Sequence, residues 1–203
     1  MRNKNAEGPL LQYLIQQCRN PKGFIGSAVI NIWNQTFKRM TQWVFSHIDF
    51  KQNDYVLDVG CGGGETLHLL ANKIKKGKIY GVDISDASVK NSISRNRHLV
   101  KNQHVIVRRS DAAKLPFENH YFHKVTAIQT HIYWDQLEKG LIEIVRVLKP
   151  DGQFIIACEQ DKIDYHMSEY KTNGEMSQLL QKIGFKSVQI FGNSKWVAFI
   201  CQK

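Results

Sequence analysis

The sequence predicts an α/β fold in which helices cover both faces of a parallel sheet. Three observations carry this prediction. From Asp54 onward, short β-branched runs alternate with amphipathic stretches. The first run, Val56-Leu57-Asp58-Val59, stops in Gly60-Cys61-Gly62-Gly63-Gly64, and a helical run follows at once. Near the end, Gly192-Asn193-Ser194 has hairpin chemistry, so one of its two strands must run antiparallel.

The elements follow in order. Residues 1–50 form a helical extension before the first strand. Pro9 to Cys18 reads as helix, and Asn20-Pro21-Lys22-Gly23 breaks it. A longer helix spans about Ser27 to His47, with Val29, Trp33, Phe37, Met40, Val44 and Ile48 on one stripe. That stripe can pack as core, and the extension can also lie over the site mouth.

Residues 51–203 form the α/β domain. Its strands are predicted at 55–59, 78–82, 104–108, 124–128, 153–158, 187–191 and 195–201. The first helix runs over 65–74. The second opens at the cap-like Ser85-Asp86 and runs to about Val100. Asp135 with Glu138 predicts a capping pair for a helix ending near Leu148. Lys149-Pro150-Asp151-Gly152 predicts a turn. Thr172 and Glu175 predict a capping box for a helix that Gly184 ends. The short polar stretch from Glu159 to Thr172 offers little for a large lid.

Composition narrows the class. With 203 residues, 42% hydrophobic and 23% charged, the chain suits one ordinary globular domain. Met1 to Gly8 is polar, unlike a secretory leader, and no apolar run approaches a membrane span. Four scattered cysteines, with no Cys-x-x-Cys, argue against a disulfide framework and point to a reducing cytoplasm. His120 and His123 lack further ligands for a metal.

The glycine loop carries the chemistry. Glycines allow positive φ and bring bare backbone to a ligand, while the helix behind them presents free N–H groups. The dinucleotide fingerprint would need glycine at position 65, which is Glu65. No Gly-Lys-Ser/Thr follows, so a phosphate-binding Walker loop fails as well. The pattern present is Asp-x-Gly-x-Gly-x-Gly at Asp58, Gly60, Gly62 and Gly64.

Here the chain resembles the class I S-adenosylmethionine-dependent methyltransferases, over roughly residues 52–203. The shared segments are Val56 to Gly62, Leu115-Pro116-Phe117 and Arg146 to Gly152. They are most similar to the menaquinone/ubiquinone-biosynthesis-like branch of small-molecule enzymes. The resemblance implies a Rossmann-like, seven-stranded mixed sheet of order 3-2-1-4-5-7-6 with strand 7 antiparallel. It also implies S-adenosylmethionine in the loop formed by Gly60, Cys61, Gly62 and Gly64, with the cofactor's carboxylate against the glycines. Asp83, ending the second strand, would accept from the ribose diol, and its carboxylate suits that role. Ile84 would pack on one adenine face. Asp111 and Ala112 would read the adenine edge. The Gln129 carbonyl would receive the methionine ammonium, with Asp58 reaching it directly or through water.

A sulfonium leaves readily, so the reaction needs alignment and dryness more than a catalytic signature. The window Gln129-Thr130-His131-Ile132-Tyr133-Trp134-Asp135 lies beside the methyl position. There His131 is a candidate base and Tyr133 a pocket or sulfonium-facing ring. Glu159 and His166 are lesser candidates. The family's Asp/Asn-Pro-Pro-Tyr signature for amino groups of adenine or glutamine is absent. The expected acceptor is a small aromatic or apolar metabolite.

A net charge of +10 keeps a second class open: an RNA methyltransferase, or a non-catalytic nucleic-acid-binding module. Against it, Lys73, Lys75, Lys76, Lys78, Arg95, Arg97, Lys101 and Lys149 are expected at the amino edge of the sheet, away from the mouth. Membrane-surface contact through the long amphipathic helix is a third reading.

Overall fold

The computed structural model describes residues 37–203. The predicted helix over Pro9–Cys18 and the early part of the Ser27–His47 helix lie outside the described residues. Residues 37–45 are helical and are called α1.

The α/β domain follows in this order: β1 (Tyr55–Val59), α2 (Glu65–Lys73), β2 (Lys78–Asp83), α3 (Asp86–Arg95), α4 (Arg97–Lys101), β3 (Val105–Arg109) and β4 (Phe122–Ile128). Then come a 3-10 turn (His131–Tyr133), α5 (Leu137–Val147), β5 (Leu148–Glu159), α6 (Gln160–His166), α7 (Asn173–Ile183), β6 (Ser187–Gly192) and β7 (Trp196–Gln202). The sheet order is β3-β2-β1-β4-β5-β7-β6. The first five strands pair in parallel, and β7 is antiparallel to both β5 and β6.

Strand alternation builds two cores. Leu57 and Val59 of β1 face one side, and Val56 faces the other. On the first side α5 contributes Leu141, Ile144 and Val147, and α7 contributes Met176, Leu179 and Leu180. On the second, α2 contributes Leu67 and Leu70, and α1 contributes Met40 and Val44. Met40, Leu67, Leu70, Leu141 and Ile144 are wholly buried, each worth about 1.5–3 kcal/mol of apolar transfer. The described part of the extension is thus core, not an appendage.

Local chemistry explains where helices start. Ser85 caps α3 by accepting from the Ser88 amide at 3.3 Å. Thr172 and Glu175 form a reciprocal capping box on α7, which ends at Gly184 with φ +121°. Three expectations are corrected. The expected helix to Val100 breaks at Asn96 into α3 and α4, because the Asn96 amide turns inward to hold the glycine loop. The Asp135–Glu138 pair does not cap α5, whose N-cap is Gln136 without a side-chain bond. Lys149 to Gly152 is a bulge inside β5: pairing passes from Phe122↔Leu148 to Lys124↔Gln153, and Asp151 takes φ +59°. The stretch after Glu159 folds into α6, with Ile163 as its buried anchor.

Candidate active site

The site lies outside the carboxyl ends of β1, β2 and β4, beside the point where strand order reverses. It is a cleft of about 230 Å³. Its walls come from the glycine loop, the ends of β2 and β3, the stretch after β4, and α1.

The loop is held from behind. Gly60 and Cys61 donate backbone N–H bonds to Val82 O at 2.8 and 3.0 Å, and Gly64 donates to Cys61 O at 2.9 Å. The loop is therefore a less open anion nest than its glycines suggest. Gly64 sits at φ +81°, and a Cβ there would lie 2.5 Å from Ser92 Oγ and 2.6 Å from Asn96 Nδ2. It faces α3 rather than the cleft, and Asn96 Nδ2 donates to its carbonyl at 3.0 Å. Gly62 is the opposite case: at φ +50°, a Cβ would meet nothing within 4 Å. Gly60 backs onto Thr130, and together with Cys61 it lines the cleft.

Asp83 closes the loop from the next strand. Its Oδ2 accepts from the Gly62 amide and its Oδ1 from the Ser85 amide, each at 2.9 Å. Burial pushes its carboxyl pKa up, and those amides pull it partly back. Ile84 follows on the cleft wall, 45% exposed although apolar. Asp111 and Ala112 line the β3 side, where Asp111 Oδ1 accepts from the Ala113 amide at 2.9 Å. Glu143 and Arg146 of α5 tether this segment. Glu143 Oε2 accepts from the Leu115 amide at 2.8 Å, and Arg146 donates to Leu115 O at 3.0 Å and to Phe117 O at 2.7 Å.

After β4, Gln129 adopts φ +58°, an uncommon conformation for a residue with a side chain. Its Oε1 accepts from the Glu159 amide at 2.8 Å, joining the ends of β4 and β5. Its buried Nε2 has no hydrogen-bond partner. Tyr133 and Trp134 also line the cleft, as do Phe37 and Lys38 of α1.

Asp58 does not line this cleft. It is buried beneath the loop, where Thr126 Oγ1 donates to its Oδ1 at 2.6 Å. Burial raises its carboxyl pKa to about 7; the Thr126 bond lowers it, and nearby Asp83 raises it. His131 also leaves the wall. Its residue is 3% exposed, and burial holds the imidazole near pKa 3, neutral at physiological pH. The expected base is therefore corrected: of the two catalytic candidates, Tyr133 reaches the cleft and His131 does not.

Several site residues had no sequence motif. Glu65, at the position of the missing glycine, is buried against the cleft and pairs with Arg95 and, at 3.7 Å, with Lys38. Arg95 thereby stands behind the cleft residue Glu65 rather than apart at the far edge, without lining the cleft itself. Ser92 and Asn96, four apart on α3, were legible only as polar residues on one helical face. Among the described residues, no cluster of His, Cys, Asp and Glu suits a metal.

The residues fit S-adenosylmethionine. The cradle at Gly62 is open where a side chain would fill it. Asp83 offers a carboxylate, Ile84 an exposed apolar face, and Gln129 an unpartnered buried amide. Residues 57–156 match the model of a methyltransferase domain family. An uncharacterized methyltransferase of Bacillus subtilis, YdaC, is 26% identical over 83% of this chain and 90% of its own. A demethylmenaquinone methyltransferase of Symbiobacterium thermophilum is 32% identical over 61% of this chain and 47% of its own. The crystal structure of a SAM-dependent methyltransferase from Aquifex aeolicus shares the fold, with TM-score 0.71, 19% identity, and coverage of 87% and 97%. With the family match spanning β1 to β5 and the sheet order complete, this chain belongs to the class I S-adenosylmethionine-dependent methyltransferases.

Proposed function

We propose that the enzyme methylates a small molecule with an aromatic or apolar body. The observation that carries this reading is that the glycine loop and Asp83 share one cleft with Phe37, Tyr133 and Trp134. The cofactor supplies a methyl carbon on a sulfonium leaving group.

The chain's part is to bind and align. Asp83 accepts from a ribose diol, and Ile84 covers one face of the adenine. Asp111 and the Ala112 backbone take its edge, tethered through Glu143 and Arg146. The Gln129 carbonyl accepts from the amino-acid ammonium, and its positive φ sets where that carbonyl aims. Gly62 leaves room for the carboxylate. Asp58 works from beneath, as a positioning residue through Thr126. Tyr133 and Trp134 present ring surface to the acceptor and exclude water. No base is assigned, since an acceptor atom with a free lone pair needs none.

Residues 1–50 are proposed to reach over the cleft mouth, which α1 supports by contributing Phe37, Lys38 and Thr41 to its wall. The nucleic-acid reading is not favoured. Lys38 and Arg95 both pair with Glu65, and Arg109 is held by Ile84 O at 3.0 Å and Asp86 at 3.5 Å. Among the described residues, no helix is long and apolar enough to cross a membrane.

The test is incubation with methyl-labelled cofactor and fractionated cell extract. Label entering the small-molecule fraction supports the reading. Label entering RNA instead overturns it.

A further inference from the structure

The glycine loop leaves the cleft short of donors for an anion. The amides of Gly60 and Cys61 are spent on Val82 O, that of Gly64 on Cys61 O, and that of Gly62 on Asp83 Oδ2. Four carboxylates, those of Glu65, Asp83, Asp111 and Asp135, belong to residues lining the same cleft. Yet the cofactor brings a carboxylate, and a carboxylate leaving water needs a paired cation or hydrogen-bond donors. Among the described residues that line the cleft, one is cationic: Lys38 of α1. Thr41, three residues on, lines it too, so this face of the helix borders the cleft.

Lys38 is not needed where it now pairs. Its Nζ stands 3.7 Å from Glu65 Oε1, too far for a hydrogen bond. Glu65 already has a counter-charge, because Arg95 donates to its Oε2. The side chain of Glu65 is 7% exposed and that of Lys38 51%, so the acid is fixed while the ammonium keeps its access. Two cations against one carboxylate leave a surplus positive charge beside the glycine loop. An ammonium also has three N–H donors, so Lys38 can serve a second acceptor without leaving Glu65.

We propose that Lys38 binds the α-carboxylate of S-adenosylmethionine, closing the cofactor's amino-acid end from the helical extension rather than from the α/β domain. This rests on the methyltransferase reading above. Met40 and Val44 bury α1 in the core, so the ammonium is carried on a packed helix. Glu65 is a positioning residue that keeps Nζ near the loop, and Arg95 offsets the repulsion Glu65 would exert on the ligand.

The probes are S-adenosylhomocysteine and its decarboxylated analogue, which differ only at the carboxylate. Affinities are read by calorimetry on the full chain, the analogue's by displacement. Lys38→Met keeps the apolar stem of a half-exposed side chain, so the variant should fold, and its Tm is checked beside the wild type. It should bind S-adenosylhomocysteine about tenfold more weakly, the low end for a hydrogen bond to a charged group, and the analogue within about twofold of wild type. Lys38→Arg should recover most of the loss. Three results would overturn the proposal: unchanged S-adenosylhomocysteine affinity in Lys38→Met, an equal loss for both ligands, or a loss in Lys38→Arg as large as in Lys38→Met. The first is also the result expected if Lys38 serves an acidic group of the acceptor instead. Wild-type binding of S-adenosylhomocysteine is measured beforehand. Its absence would sink the methyltransferase reading, whereas its presence with an unaffected Lys38→Met sinks only this one.

Discussion

The Gly62 amide donates to Asp83 Oδ2 at 2.9 Å, so the acid ending β2 holds the loop that follows β1. One carboxylate thereby shapes the cradle and lines the cleft, where it is proposed to receive the ribose. Asp83→Ala should weaken S-adenosylhomocysteine binding by about 1.5–3 kcal/mol, the range for hydrogen bonds to a charged group. Asp83→Asn should lose less, because its carbonyl can still accept from Gly62. Calorimetry on both variants checks this, and unchanged affinity in Asp83→Ala contradicts the ribose role.

Gly62 and Gly64 make a matched pair. Both have positive φ, but a Cβ meets open cleft at Gly62 and Ser92 with Asn96 at Gly64. Gly64→Ala should cost about 2 kcal/mol or more, from strain plus overpacking. Gly62→Ala should cost roughly 1–2 kcal/mol of strain and weaken cofactor binding disproportionately. Urea unfolding beside cofactor titration separates the two. Equal losses of stability would contradict the assignment of one glycine to the cleft and the other to the scaffold.

Asp58 gives a pH signature. Its folded pKa, about 7, lies above its ordinary value of 3.8. Between those values the folded state binds a proton that the unfolded state has released, so this group lowers stability as pH rises. The wild type should therefore lose Tm relative to Asp58→Asn from about pH 4 to about pH 7, and the gap should level off above. Comparing the two melting curves across pH isolates this group from the others. A gap that moves the opposite way contradicts a protonated, buried Asp58.

The Glu143–Arg146 pair predicts a remote effect. Arg146→Met removes donors to Leu115 O and Phe117 O, which tether the segment carrying Asp111 and Ala112. Stability should fall by about 2 kcal/mol. Cofactor affinity should also fall, although Arg146 does not line the cleft. Full affinity in a folded variant would show that the adenine side needs no tether.

Much of the fold was legible because periodicity and punctuation agreed. The predicted first strand coincides with β1, and the Thr172–Glu175 box caps α7 as expected. Misses came where tertiary contacts overrode local pattern. Asn96 breaks a good helix to hold Gly64, and Asp135 yields the cap position to Gln136. In the site, Asp83, Ile84 and Gln129 could be placed because strand ends place them. Burial could not be read: Asp58 and His131 sit on the right segments but turn their side chains away from the cleft. Lys38 and Glu65 come together only through the packing of α1 against the loop.

The most direct test is calorimetric titration of the purified full chain with S-adenosylhomocysteine, alongside Asp83→Ala. Saturable binding with one-to-one stoichiometry, weakened in the variant, is the predicted result. No heat of binding in the wild type at millimolar ligand would contradict the account at its centre.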